Sequence, residues 1–299
     1  DVNNPLLERL KFMSIFNSNL DEFFMIRVSS LKELVSEGFN DIDISCLTPS
    51  EQLEKISGYL HNLEKRFYKQ WVNISNILNE KYGVIIHKDE ELPEVLKDKI
   101  KKIFEKKIFP VLTPMAIDPT HPFPFINSRT LNILCRLYSA DDKEKYAIVP
   151  VPGILPRYFI IDFDKKRHIF FIENIIGFFI DSLFPGFRSI DSRCFRITRN
   201  ADLDVDEEGA EDLLKQIESK LKERKKGNVV RLEVDKLFAK KYLQKFQSEL
   251  HISDKDTYYI EGTFDISFGF MLANDLLRVI NNETYPSFTP AYKKIDNIF

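Results

Sequence analysis

The run from Thr48 to Gly83 limits what this chain can fold into more than any other feature. Thr48-Pro49-Ser50-Glu51 puts a hydroxyl at an N-cap, proline at N1 and a glutamate at N3, a capping box that satisfies two free amides reciprocally. Behind it Leu53, Ile56, Leu60, Leu63, Phe67, Trp71, Ile74 and Leu78 keep one face apolar until Tyr82-Gly83. The spacing predicts one helix of about 34 residues, roughly 50 Å long at about 1.5 Å per residue. A stripe of that length needs a partner. The preceding segment supplies it: Leu6, Leu10, Met13, Phe16, Leu20, Phe23, Leu31 and Leu34 recur at helical spacing, from the cap-then-proline pair Asn4-Pro5 up to Gly38. An antiparallel hairpin of long helices is therefore expected for the first third.

One polar stretch, Asn17-Ser18-Asn19 followed by Leu20-Asp21-Glu22, interrupts the first stripe. Two readings are open. An internal N-cap, with Ser18 and Asp21 or Asn19 and Glu22 as its box, would expose helix amides suited to phosphate. If the helix runs through instead, Phe12, Phe16 and Asn19 share a face and set two rings beside an amide, a site for a base or a buried kink.

Beyond Gly83 the pattern is mixed. Val84 to His87 reads as a strand, and Pro93 opens an amphipathic helix through Val95, Leu96, Ile100, Ile103 and Phe104. Prolines 110, 114, 119, 122 and 124 then force an extended, turn-rich path. Strands are expected at Leu131–Tyr138, Tyr146–Val151, Tyr158–Ile161, His168–Ile172, Cys194–Arg199 and Val229–Val234. Helices are expected at Asn174–Leu183, Asp206–Lys226, Phe238–Leu250 and Phe264–Leu277, with Cys194–Arg199, Asp206–Lys226 and Val229–Val234 reading as a β-α-β unit. The expected fold class is α+β multidomain: a helical N-terminal domain over 1–83, an α/β head domain over 84–285, and a linker over 286–299.

Composition narrows the function. The 43 Lys and Arg against 46 Asp and Glu give a net charge of -3, so no global basic excess drives nonspecific nucleic-acid binding; the lysines of 97–107 and Arg224-Lys225-Lys226 read as solvated faces, with a local polyanion path as the alternative. No apolar run approaches a membrane span, so no membrane insertion is expected. Cys46, Cys135 and Cys194 are too widely spaced for a disulfide framework or a zinc site and fit a reducing cytoplasm. The five histidines show no metal spacing, and the acidic run from Asp202 to Asp212 reads as complementing a helix dipole. There is no Walker loop, dinucleotide fingerprint or hydrolase elbow. The start Asp1-Val2-Asn3-Asn4 reads as an interior of something longer.

Several motifs nevertheless carry a resemblance. Asn4-Pro5-Leu6-Leu7-Glu8-Arg9-Leu10-Lys11-Phe12, Ser18-Asn19-Leu20-Asp21-Glu22-Phe23-Phe24, Phe109-Pro110-Val111-Leu112-Thr113-Pro114 and His121-Pro122-Phe123-Pro124-Phe125 follow one another in order. Leu183-Phe184-Pro185-Gly186, Phe195-Arg196-Ile197-Thr198-Arg199-Asn200 and Val230-Arg231-Leu232-Glu233-Val234 continue the series. Together they resemble the amino-terminal half of bacterial polyphosphate kinases of the histidine-phosphorylating type. The resemblance implies a helical N-terminal domain and a head domain, with two catalytic domains following. It implies reversible transfer of the terminal phosphate of ATP to inorganic polyphosphate through a phosphohistidine, with Mg²⁺, both catalytic histidines and the Mg²⁺ ligands lying outside this chain, which alone is then inactive. It implies ATP contact at Asn19, with Phe12 against the adenine, and a homodimer or tetramer, cytoplasmic or in a kinase complex at the membrane surface. The rival expectation is a non-catalytic module that oligomerises or binds polyanions.

Overall fold

The computed structural model describes residues 3–87, 92–117, 123–139, 143–200, 227–280 and 282–286. The first stripe forms α1 (Leu6–Phe23), a π-helical turn (Phe24–Val28) and α2 (Ser29–Ser36), and the second forms α3 (Pro49–Tyr82). The capping box is present in full: Glu51 N donates to Thr48 Oγ1 at 3.3 Å and Thr48 N to Glu51 Oε2 at 2.8 Å. At the far end Gly83 takes the left-handed conformation, φ 64°, that a side chain would disfavour.

The helix runs through the polar break, which removes the internal N-cap. Two of the polar side chains there, Asn17 and Asp21, have tertiary partners, while Ser18, Asn19 and Glu22 are exposed. Asn17 Nδ2 donates to Asp265 Oδ1 at 3.2 Å, and Asp21 is bound by arginines described below. The start differs as well, because Pro5 rather than Asn4 occupies the cap and has no side-chain bond to give. A glutamate distant in sequence does the capping: Leu6 N donates to Glu283 Oε2 at 2.8 Å and Leu7 N to the Glu283 carbonyl at 3.0 Å.

Two sheets follow. β1 (Val84–His87), β6 (Lys166–Phe171) and β5 (Tyr158–Phe163) form the smaller, with β1 parallel and β5 antiparallel to β6. The larger is ordered β2 (Met115–Ile117), β4 (Glu144–Pro150), β3 (Leu131–Ser139), β7 (Phe187–Arg199), β8 (Val229–Asp235), β9 (Thr257–Ile260). It is antiparallel except between β8 and β9. The helices outside the hairpin are α4 (Glu94–Ile103), α5 (Ile172–Phe178), α6 (Lys240–Leu250) and α7 (Gly269–Leu276).

Three expectations change here. β7 and β8 pair antiparallel, Phe195 opposite Val234, so the pattern expected as a β-α-β unit is not a parallel crossover; a strand-helix-strand pattern fixes element types but not direction. Its helix, Asp206–Lys226, lies outside the described residues, as do the acidic run, Arg224-Lys225-Lys226, His121 and the linker from 287 onward. β7 begins seven residues earlier than expected, at Phe187, because its first half is too polar to read as a strand yet pairs along β3. Strands β2 and β9, too short to stand out in the sequence, complete the larger sheet.

The packing follows strand alternation. On β7 and β8 the residues Phe195, Ile197, Leu232 and Val234 point to one face and are buried under α6 through Leu243, Phe246 and Leu250. The alternate residues Arg196, Arg231 and Glu233 point to the other face, where α1 and α3 lie, and they are buried too. Elsewhere α1 and α3 share one core with α4, α5, α7 and the smaller sheet, through residues such as Leu7, Leu10, Trp71, Phe104, Phe171 and Phe268. Gly269 lets α7 approach α1: a Cβ there would stand 2.9 Å from the Leu10 carbonyl oxygen.

Candidate functional site

The hairpin leaves a groove between α1 and α3 on the side away from the sheet. It has two adjoining basins of about 680 and 480 Å³, and Phe16 and Leu63 line both. Volumes of about 300–1,000 Å³ suit a small organic ligand. Phe12 lines the larger basin with Phe67, and Asn19 lines the smaller with Phe23 and Tyr59. The face expected of Phe12, Phe16 and Asn19 is therefore formed, with Phe12 and Asn19 exposed. Phe16 and Phe67 lie ring to ring at 4.9 Å between centroids, a rigid wall between the basins.

Four cations edge this apolar groove: Arg9, Arg66 and Lys69 beside the larger basin, Lys55 beside the smaller. None of them has an ion pair among the described residues, whereas many other cations do: Lys11 with Glu8, Lys32 with Asp256, Lys81 with Glu283. The lysines of α4 stay on an exposed face, where Lys97 pairs with Glu94 and Lys101 with Glu105. Apolar rings, the side-chain amides of Asn4, Asn19 and Gln70, and positive charge at the rim can receive a planar heterocycle carrying anionic groups.

Under the groove, toward the sheet, lies a feature that sequence reading missed. Arg196 on β7 binds Asp21 with both terminal nitrogens, Nη1 to Oδ1 at 2.8 Å and Nη2 to Oδ2 at 2.5 Å. The same Nη1 donates to Glu233 Oε2 at 2.7 Å. Arg231 on β8 reaches Asp21 Oδ1 at 3.5 Å and Glu233 Oε1 at 3.2 Å, and its Nη2 donates to Glu64 on α3. All five side chains are at most 8% exposed. The Arg231 guanidinium packs against an edge-to-face pair of rings, 4.8 Å from the Phe24 centroid and 5.2 Å from that of Tyr258.

With three carboxylates and two guanidinium groups, the knot has one negative charge too many. Burial pushes the Glu64 carboxyl up to about 7; Arg231 opposes this without cancelling it, while Glu233 and Asp21 repel a further negative charge. Burial also works against Arg231, but Glu233, Glu64 and Asp21 outweigh it and hold the guanidinium above its ordinary value. The signal for the knot was present in the sequence as lone charges inside apolar strands, Val230-Arg231-Leu232-Glu233-Val234 and Phe195-Arg196-Ile197. Such alternation ordinarily marks a solvated face, and only the helices laid across it make it an interior.

The four described histidines lie outside the groove linings. His61 stacks on Tyr258, His87 and His168 bond to each other at 2.9 Å, and His251 ends α6 in the left-handed region. Among the described residues no three His, Cys, Asp or Glu side chains converge as a metal site, and no carboxylate lines either basin, so the groove's donor set does not fit Mg²⁺. No helix among them is long and apolar enough to cross a membrane.

The fold and site define a class: an α+β protein whose helical hairpin carries an aromatic, cation-edged groove and is bound to a mainly antiparallel sheet through buried ion pairs. Comparison with known proteins places it more closely. Residues 1–86 match the polyphosphate kinase N-terminal domain and residues 96–272 the polyphosphate kinase middle domain. The polyphosphate kinase of Staphylococcus epidermidis is 40% identical over 296 residues, covering 97% of this chain and 40% of the relative. That of Bacillus cereus is 41% identical over 298 residues, with 97% and 42% covered. The crystal structure of polyphosphate kinase from Porphyromonas gingivalis superimposes with a TM-score of 0.77 at 23% identity, over 98% of this chain and 40% of that one, and shows the fold. The chain belongs to the polyphosphate kinase family, and it spans about 40% of the length of the curated relatives it matches.

Proposed function

We propose that this chain is the nucleotide-gripping and dimer-forming part of a polyphosphate kinase, which moves the terminal phosphate of ATP reversibly onto polyphosphate through a phosphohistidine. On this reading residues 1–83 act as the nucleotide arm and 84–285 as the head. The phosphorylated histidine, its partner and the Mg²⁺ ligands lie outside this chain, which is inactive by itself. The observation that carries the reading is the groove: Phe12 and Phe16 offer rings to adenine, the Asn19 amide offers a donor and an acceptor to its edge, and the cations at its rim offer charge to phosphate. Phosphoryl transfer depends on positioning and charge neutralisation, so holding the base at a fixed place contributes to rate.

The test is Asn19→Ala in the complete enzyme. Loss of one polar contact to a bound base predicts about a tenfold rise in the KM for ATP. An unchanged KM refutes the assignment.

A further inference from the structure

The groove and the charge knot lie on opposite sides of the same two helices. Asn19 and Asp21 are two residues apart on α1, about 200° around a helix of about 100° per residue, so one faces the groove and the other the sheet. On α3, Leu63 lines both basins while the adjacent Glu64 is buried in the knot. Each wall of the groove thus carries a carboxylate on its back. Those two carboxylates repel, and what joins them is one side chain: Arg231 Nη1 reaches Asp21 and Nη2 binds Glu64. Phe24 and Tyr258, which meet each other edge to face at 5.5 Å, pack against the guanidinium and bound it on that side. Arg196 adds the bidentate grip on Asp21 and a bond to the Arg129 carbonyl at 3.4 Å, which ties α1 to the sheet.

We infer that Arg231, seconded by Arg196, is a positioning residue for the nucleotide groove: its fork sets the separation and rotation of α1 and α3, and hence where Asn19 stands relative to Phe16 and Leu63. The inference rests on the nucleotide reading of Asn19. Arg231 touches no substrate; it acts through Asp21 and Glu64. A planar fork is required, because an ammonium is a single point of charge and cannot hold two walls at a fixed angle.

The experiment uses the complete enzyme and five variants: Asn19→Ala, Arg231→Lys, the double of these two, Glu64→Gln and Glu64→Leu. A small displacement of a binding wall predicts about a tenfold rise in the KM for ATP for Arg231→Lys, with kcat changed less than about twofold. If Arg231 acts through Asn19, the double variant's KM equals that of Asn19→Ala alone; independent roles would multiply. Gln at 64 still accepts from Arg231 and keeps the KM, whereas Leu does not and raises it, although both remove the charge. If Arg231→Lys fails to fold, as read from its melting curve, the Gln and Leu pair decides the question. A tenfold effect of Asn19→Ala with none from Arg231→Lys, a multiplicative double, or equal KM values for Gln and Leu overturns the positioning role. No effect of Asn19→Ala overturns the nucleotide reading beneath it.

Discussion

Replacing Glu64 with Gln should make this protein more stable at alkaline pH and leave it nearly unchanged at acidic pH. Glu64 is 6% exposed and faces Arg231 and Glu233 on β8, Asp21 on α1, Tyr68 on its own helix and Tyr258 on β9. Burial, with the two neighbouring carboxylates, raises its carboxyl from 4.5 to about 7 in spite of Arg231. A carboxyl raised on folding gives stability that is complete below its unfolded value and is lost as pH rises through the folded value. The window therefore runs from about 4.5 to about 7, and the difference between its ends corresponds to about 3 kcal/mol. Gln keeps the shape and an acceptor for Arg231 but cannot ionise, so its knot is neutral at every pH in this range. The assay is urea unfolding between pH 5 and 8.5, followed by the fluorescence of Trp71, the single tryptophan, which is fully buried. Wild type should lose about 3 kcal/mol across that range relative to Glu64→Gln. Parallel stability curves for the two proteins, or a variant weaker than wild type at pH 8, would refute the argument.

Glu283 should behave with the opposite sign. Hydrogen bonds from Lys81, Tyr82 and the Leu6 amide hold its carboxyl down at about 2, so its contribution is present above about 4.5 and lost as pH falls toward 2. Glu283→Gln should therefore cost about 1–3 kcal/mol at pH 7, with the gap to wild type closing by pH 2.5 in the same unfolding assay. Two glycines also separate. Gly269→Ala, whose methyl would meet the Leu10 carbonyl at 2.9 Å, should destabilise by about 1–3 kcal/mol. Gly58→Ala, in open space within α3, should stabilise by up to about 1 kcal/mol; thermal melts of the two variants check both directions.

Local chemistry was legible where it acts over a few residues. The Thr48 capping box, Gly83 and the apolar stripes define α3 almost to the residue, because each signal is satisfied within one or two turns. The strands Leu131–Ser139 and Val229–Asp235 are clear for the same reason, being dense in apolar and β-branched side chains. What could not be read is what depends on distant partners. Ser18 and Asp21 look like a capping box until Arg196 is in place to claim Asp21, as Asp265 claims the neighbouring Asn17. Asn4 looks like a cap until Glu283 arrives with a better one. The antiparallel pairing of β8 with β7 is a long-range choice that local composition does not encode. Of the site, the shared face of Phe12, Phe16 and Asn19 follows from helical spacing, whereas the charges beneath it come from four elements and no local pattern joins them.

The knot also sets a timetable for synthesis. Asp21 meets Arg196 across 175 residues of sequence and Arg231 across 210. A ribosome adding about 5–20 residues per second leaves Asp21 without either arginine for on the order of ten seconds or more. During that interval the nascent hairpin has a carboxylate in the middle of the face it must bury, so docking cannot be completed early. A charge that is costly to bury alone thus meets the strands that neutralise it only after they have been made.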